Sequence, residues 1–411
     1  MKLSPFAPTT PPAMPSIAGV RMATCEAGIK YRNRPDLMLM LFDAGTSVAG
    51  VFTQSKTAGA PVEWCRKQLG PGAARALVVN SGNANAFTGA KGRQTVVDTA
   101  QAAGRAADCR PSDVFIASTG VIGQPFDAGV ITRQLPALAT AAKSDGWASA
   151  AAAMMTTDTH AKMATRTAKI GGVAVTLNGI AKGSGMIAPE MATLLCFLAT
   201  DAPISAAALQ DMLKPAADQS FNAISVDGDT STSDTLLLFA THAAAERGAP
   251  VIKRADDPRA REFRAALDAL THDLAMQVVK DGEGLSKFVT LRISGAETPA
   301  AARRIGMAIA NSPLVKTAIA GNDPNWGRLV MAIGKSGEAA DRDKIAIRFG
   351  GIEVARDGGV VASYTEAAGA EYFKRPEIVL SIDVGAGTAS STVYTCDLTA
   401  DYVSINADYR S

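Results

Sequence analysis

Aromatic residues make up only 5% of this 411-residue chain, which excludes a core built on stacked rings. Hydrophobic residues reach 47% and charged residues 19%, so the chain can bury a large interior, and global disorder is excluded. That interior must be filled by Ala, Val, Leu, Ile and Met, which suits helices packed closely on sheets. Histidine is scarcer still. His160, His242 and His272 stand apart, with no H-x-x-x-H or H-E-x-x-H spacing, which argues against a zinc site. Cys25, Cys65, Cys109, Cys196 and Cys396 form no C-x-x-C pair, and an odd number of cysteines is a poor disulfide framework. Charge of one sign is also lacking: 41 basic and 39 acidic residues leave a formal net charge of +2. There is thus no electrostatic reason to expect nucleic acid or an anionic membrane as partner. No stretch approaches the ~20 apolar residues of a membrane helix. The opening MKLSPFAPTTPPAMPSIAGV holds five prolines and no long apolar run, unlike a secretory signal. The expectation is a cytoplasmic protein with no metal and no nucleic-acid or membrane partner.

The length allows two or three ordinary domains or one large composite one. The segment up to about Pro15 reads as an extended arm. LMLMLF (37–42) and VAGVF (48–52) read as strands around the turn Asp43-Ala44-Gly45. A recurrent pattern follows, in which a short apolar strand runs into a polar, Gly-rich loop. Ala76–Val79 runs into Asn80-Ser81-Gly82-Asn83-Ala84-Asn85. Val114–Ile116 runs into Ser118-Thr119-Gly120-Val121-Ile122-Gly123, and Val173–Leu177 runs into Asn178-Gly179 and then Lys182-Gly183-Ser184-Gly185. Strand ends that open into small polar residues are where α/β proteins place their sites. Helices are expected over 92–107 and 126–144, the second broken or kinked at Pro136. The clearest helix spans about 258–280. Asp257 suits its cap and Pro258 its first turn, and Phe263, Leu267, Leu270, Leu274 and Val278 recur at helical steps. The whole reads as mixed α and β, with sheets covered by helices.

The most informative stretch is Lys182 to Asp201. A Gly-rich loop leads to Pro189 and then to an apolar run from Thr193 to Ala199 that reads as a buried strand. A threonine at the head of such a strand has a chemical use. Its hydroxyl can attack the carbonyl carbon of Ala192 and shift the acyl group from nitrogen to oxygen; hydrolysis of the ester then cuts the chain. Thr193 becomes N-terminal, and its α-amine, with a reference pKa near ~8, can act as general base for its own hydroxyl. No catalytic histidine is then needed. On its own, however, a threonine opening a strand is an ordinary β residue. Lys182-Gly183-Ser184-Gly185 could equally cradle a phosphate, although G-x-x-x-x-G-K-[ST] is absent.

The whole string, K-G-S-G-M-I-A-P-E-M-A-T-L-L, resembles the cleavage-site signature of the ornithine acetyltransferase/glutamate N-acetyltransferase family of arginine biosynthesis. Other motifs point the same way and occur in the same order. Asn80–Ala86, Ser118–Gly123, Met155–Thr159, Ser225–Thr235, Asp281–Gly284, Gly321–Arg328 and Tyr402–Tyr409 each resemble a family motif, so the resemblance runs from about residue 26 to the end. It implies α/β (α+β) architecture in intertwined sheet-and-helix layers, of the ornithine acetyltransferase/self-cleaving aminopeptidase type. Residues 1–192 would form an α chain and 193–411 a β chain, paired as α2β2.

By the same resemblance Thr193 is the nucleophile, taking acetyl from N-acetylornithine and passing it to glutamate. Thr119 and Gly120 match the oxyanion donors, and losing one such donor typically costs ~10²–10³ in rate. Thr156, Lys182, Thr193, Glu283, Asn406 and Ser411 match the substrate contacts. Lys182 suits an α-carboxylate and Glu283 the δ-ammonium of ornithine. Many members end in Thr where this chain has Ser411; the hydroxyl is kept. Asn222-Ala223-Ile224 also departs from the more usual N-[RS]-I. No cofactor is implied, although some members also use acetyl-CoA as donor, and the expectation leans towards both donors. A self-cleaving amidase or aminopeptidase, passing its acyl group to water, is the main rival. A non-catalytic, phosphate-binding Gly-rich protein is the other.

Overall fold

The computed structural model describes residues 2–188 and 194–407. Ala192, Thr193 and Ser411 therefore lie outside the described residues. In chain order the strands are β1 (Val20–Cys25), β2 (Leu37–Phe42), β3 (Ser47–Phe52), β4 (Ala76–Asn83), β5 (Val114–Val121), β6 (Lys162–Ile170), β7 (Val173–Lys182), β8 (Leu195–Thr200) and β9 (Thr235–Ala240). The remaining strands are β10 (Phe288–Ala296), β11 (Ala346–Phe349), β12 (Ile352–Arg356), β13 (Gly359–Val360), β14 (Glu377–Asp383) and β15 (Ala389–Cys396). They form three sheets, ordered β1-β2-β4-β5, β3-β9-β8-β7-β6 and β13-β12-β11-β14-β10-β15.

The first two sheets lie face to face between helical layers, and their strands show why. Met38, Met40 and Phe42 of β2 share one core with Leu195, Phe197 and Ala199 of β8 and with Leu237 and Phe239 of β9. The alternate residues of β2 (Leu37, Leu39, Leu41) pack on Val96, Ala100, Ile131 and Leu135 of the outer helices. Those of β8 and β9 (Cys196, Leu198, Leu236, Leu238) pack on Leu209, Leu213, Leu267, Leu270 and Leu274. A strand covered on both faces has no polar alternation, so LMLMLF and TLLLFA are apolar throughout. The six-stranded sheet carries a separate core with the helices Pro299–Ala310, Pro313–Ala320 and Trp326–Gly334. The fold is thus mixed α/β with intertwined sheets and helices, as the motifs implied.

Several expectations change in detail. The chain does turn between β2 and β3, where Thr46 N–H donates to Asp43 C=O, but the two strands do not pair. β2 pairs with β1 and β4, while β3 crosses to the other sheet and pairs antiparallel with β9. Strands β4, β5 and β7 run several residues further than their apolar stretches, taking in Asn80–Asn83, Ser118–Val121 and Asn178–Lys182. The second helical region is two short helices, Gly129–Thr132 and Leu135–Ala141, and Pro136 opens the second rather than kinking a longer one. The first begins at Gly89. The long helix holds: a short 3-10 turn, Pro258–Ala260, capped by Asp257, leads into Arg261–Val279, with its expected apolar stripe buried.

Candidate active site

The C-terminal ends of β4, β5 and β7 meet the starting ends of β8 and β9 at one edge of the facing sheets. A cavity of about 460 Å³ opens there, within the range of small-molecule sites. Its lining includes Thr119, Gly120, Thr156, Lys182, Glu283 and Asn406, which are all the expected site residues that lie within the described part of the chain.

Thr119 and Gly120 sit within β5 rather than in a loop after it, at a bulge. The parallel pairing of β4 with β5 shifts register at Gly82 and Asn83. Bulges re-aim side chains beside sites, and this one depends on glycine. Gly120 has φ +126°, and a Cβ there would stand 2.3 Å from the carbonyl carbon of Gly82. The polar side chains of Asn80–Asn85 brace the bulge. Ser118 Oγ donates to Asn80 Oδ1 at 2.6 Å, Asn80 Nδ2 to Asn83 C=O at 2.9 Å, and Asn83 Nδ2 to Gln124 C=O at 2.7 Å.

Lys182 ends β7 fully buried, and its Nζ donates to Thr119 Oγ1 at 3.3 Å. Burial pulls its ammonium below the usual lysine range, against the nearby Asp158 carboxylate. Asp158 belongs to a buried ion triad. Lys162 Nζ lies 2.7 Å from Asp158 Oδ1 and 2.6 Å from Asp281 Oδ2, with all three side chains inaccessible to solvent. Burial raises both carboxyls, but Lys162, with Lys182 helping at Asp158 and His160 at Asp281, more than offsets it and holds both below the usual carboxylate range. The triad also pins backbone. Asp158 accepts from Gly183 N–H at 2.7 Å and Thr156 N–H at 2.9 Å. Asp281 accepts from Thr159 N–H at 2.9 Å, and its carbonyl accepts from Ser184 Oγ at 2.6 Å. The segments carrying Thr156, Lys182 and Glu283 are thereby tied together. Thr159 is committed to Asp281, whereas Thr156 and Thr157 line the cavity.

Glu283 lies opposite, 8% exposed, and accepts from Asn406 Nδ2 at 2.6 Å. A Cβ at Gly185 would stand 2.4 Å from its carboxyl, so the Gly-rich loop leaves room for this acid. Asn406 is carried by the helix Ala400–Ala407, whose Tyr402 hydroxyl donates to Asp227 Oδ2 at 3.2 Å. Asp227 also accepts from Met186 N–H at 2.6 Å and Ile187 N–H at 2.9 Å. Leu194, the first described residue after Thr193, donates its N–H to Asp234 Oδ1 at 2.9 Å. Among the described residues no cluster of three His, Cys, Asp or Glu could hold a metal ion, and no helix is long and apolar enough to cross a membrane.

The model of the ArgJ family matches residues 21–411. This chain belongs to the ArgJ family. The arginine biosynthesis bifunctional protein ArgJ of Bradyrhizobium diazoefficiens is 58% identical over 409 residues, covering 100% of this chain and 99% of that protein. The protein of the same description from Agrobacterium fabrum is 57% identical with the same coverage. The crystal structure of ArgJ from Bacillus halodurans is 35% identical and superposes with a TM-score of 0.48, covering 50% of this chain and 95% of that one.

Sequence reasoning missed the acids that organise this ArgJ-family cavity. Asp158, Asp227, Asp234 and Asp281 all lie in the motifs quoted for the resemblance, yet none was given a role, and Lys162 was not singled out. The available signal was an acid embedded among small polar residues beside apolar strands, where burial demands a partner.

Proposed function

We propose that the chain is an acetyltransferase of arginine biosynthesis that cuts itself between Ala192 and Thr193 and carries acetyl from N-acetylornithine to glutamate on Thr193. The observation behind this reading is the convergence of Thr119, Gly120, Thr156, Lys182, Glu283 and Asn406, from five separate segments, on one cavity in a chain of the ArgJ family. The freed α-amine of Thr193 takes the proton of its hydroxyl as Oγ attacks the acetyl carbonyl. The Thr119 hydroxyl accepts from Lys182, which leaves its own proton free for the oxyanion, with the Gly120 N–H as second donor. Ornithine departs, and the glutamate amine takes the acetyl group from Thr193.

The charges suit amino-acid substrates. Lys182 offers a cation for an α-carboxylate and for the forming oxyanion. Glu283 offers a carboxylate to the δ-ammonium of ornithine, with Asn406 holding it in place. Ser411 completes the proposed contacts. Residues 1–192 and 193–411 then act as α and β chains of an α2β2 assembly in the cytoplasm, with acetyl-CoA as a second acetyl donor.

Denaturing mass analysis of the purified protein should show two pieces divided at Ala192–Thr193. Thr193→Ala should stay in one piece and lack activity; a cut elsewhere, or full activity in that variant, defeats the reading. Product analysis with N-acetylornithine separates transfer from hydrolysis, since acetate released without need of glutamate would make the chain an amidase. Glutamate with acetyl-CoA as sole donor reports on the second donor.

A further inference from the structure

Glu283 and Asn406 face the cavity from two separate segments. The helix Ala400–Ala407, which carries Asn406, has no buried residue, so apolar packing does not fix where Asn406 stands. A polar knot just before the helix holds it instead. The pairing of β10 with β15 reaches Phe288 and Cys396 and is prolonged by one bond, from Asp397 N–H to Lys287 C=O at 3.2 Å. The buried Asp397 carboxylate then turns back onto the same stretch. Its Oδ1 accepts from Ser286 N–H at 2.8 Å and Lys287 N–H at 3.0 Å, and its Oδ2 accepts from Ser286 Oγ. Thr399 Oγ1 donates to Gly284 C=O at 2.6 Å. Gly284, at φ +69°, lets the two segments close, since a Cβ there would stand 2.6 Å from Tyr402 N. Gly284, Ser286 and Lys287, which follow Glu283, are thus tied to Asp397 and Thr399, which precede the helix of Asn406.

The knot is braced from the six-stranded sheet and its helices. The buried Lys287 Nζ donates to Ile319 C=O at 2.6 Å and to Asn322 Oδ1 at 2.5 Å. Lys316, also buried, donates to Thr395 Oγ1 at 2.9 Å and to Cys396 C=O, and its own carbonyl accepts from Leu398 N–H at 3.4 Å. Lys316 and Ile319 belong to the helix Pro313–Ala320. Asn322 lies in the Gly321–Arg328 string, which the proposed chemistry leaves without a role. It holds φ +58°, a left-handed conformation that asparagine tolerates. Burial pulls the Lys287 ammonium below its usual range, against the opposing pull of the Asp397 carboxylate, so each charge compensates the other.

We propose that Asp397, braced by Lys287 and Asn322, is a positioning residue for the Glu283–Asn406 pair, and thereby sets how strongly the cavity prefers an acyl donor with an ammonium at its far end. The inference rests on the reading of Glu283 as the partner of the ornithine δ-ammonium. Asp397 stands behind the residues that line the cavity, so it acts through the pair. Glu283 accepts from Asn406 Nδ2 at 2.6 Å, and that amide also donates to Tyr402 C=O at 3.0 Å. If the helix shifts, the Glu283 carboxylate loses its holder and must be ordered by the substrate itself, which weakens recognition of the ammonium. The acetyl end of the donor meets Thr119 and Gly120 on β5 and is not touched by that shift.

The test is steady-state kinetics of the full-length enzyme with two donors, N-acetylornithine and N-acetylnorvaline, which has the same carbon chain without the amine. Asp397→Asn keeps the shape but sets an amide among the Ser286 and Lys287 donors. It should raise KM for N-acetylornithine about tenfold with kcat nearly kept, the scale of one lost charge-assisted hydrogen bond. KM for N-acetylnorvaline should hardly move. Thr399→Val should shift the donor preference the same way, and Thr399→Ser, which keeps the hydroxyl, should restore it. In Glu283→Gln, Asp397→Asn should take nothing further from the preference, because residues that act as one do not add. Equal losses on both donors, or a full further loss of preference in the Glu283→Gln background, overturns the proposal. If melting shows that Asp397→Asn does not fold, the Thr399 variants decide, and a wild-type preference in Thr399→Val overturns it. A wild-type enzyme that does not prefer N-acetylornithine to N-acetylnorvaline defeats the underlying reading of Glu283 instead.

Discussion

Thr119 illustrates how much a single hydroxyl can depend on its neighbours. Its Oγ1 accepts from a buried ammonium, that of Lys182, and it sits on a bulge that requires glycine at 120. A hydroxyl whose lone pair is occupied by a cation is a better donor than a free one, because the charge polarises the O–H bond. Thr119→Val should lower kcat by ~10²–10³ with little change in KM, the signature of a lost oxyanion donor. Thr119→Ser, which keeps the hydroxyl, should recover most of the rate. Equal losses in both variants would show that packing rather than hydrogen bonding matters at this position. Thr119 was legible through the resemblance, because it lies in the Ser118–Gly123 string that matches a family motif. Asp158 and Asp234 lay in such motifs too, but an acid's role is set by what it meets in space. Lys162 joins Asp158 to Asp281, which lies more than a hundred residues further along the chain, and nothing local marks that meeting.

At the scale of elements, the Asp158–Lys162–Asp281 triad does what the loops cannot do for themselves. Three connections, after the helix Trp147–Met154, after β7 and after the helix Arg261–Val279, bring cavity-lining residues together. Carboxylates accepting from backbone N–H groups hold them. Lys162→Met leaves two buried carboxyls facing each other without the ammonium that bridges them, and breaking such a buried pair costs about 3–5 kcal/mol. The pH dependence has a definite sign. In the wild type, Asp158 and Asp281 titrate below their unfolded value of about 3.9, so their stabilisation is fully present above that pH and is lost as pH falls through the folded values. In Lys162→Met both carboxyls lose that opposing charge and titrate higher than in the wild type, so the variant gains less stability as pH rises. The gap between the two proteins, read as urea midpoints, should therefore widen from pH 4 to pH 7; a constant gap would mean that the lysine acts only by packing. The elements themselves were partly legible. Apolar β2 and β8 and the stripe of the 258–280 helix stood out because both faces of the strands and one face of the helix are buried. The far ends of β4, β5 and β7 did not, because their buried residues are polar and hydrogen-bonded, a pattern that reads as loop.

The whole molecule is divided by the proposed cut in a way no local pattern foretold. In the five-stranded sheet, β3, β6 and β7 precede residue 193, whereas β8 and β9 follow it, in the order β3-β9-β8-β7-β6. Among the described residues β3 is an edge strand paired in its sheet with β9, and β7 pairs with β8 along its last six residues, from Leu177 to Lys182. The turn at Asp43–Gly45 reads from sequence as a bend between two strands, and it passes the chain from one sheet to the other. Turn chemistry reports the bend but not which strand each arm will join. Both pieces also share the core between the facing sheets, where Met38 and Phe42 meet Phe197 and Phe239, and Phe42 stacks on Phe239 with ring centroids 4.2 Å apart. A cut at Ala192–Thr193 therefore frees a chain end without opening a separable interface. The cleaved protein should travel as one species in native size exclusion and native mass spectrometry, with 1–192 and 193–411 in equal amounts, and should part only in denaturant. Residues 1–192 made alone should fail to fold, since β3 would have no strand to pair with and β7 would expose an apolar edge, which invites aggregation. Independent folding of that piece, or its release from the cleaved protein in native buffer, would contradict the interleaved sheet as the source of cohesion.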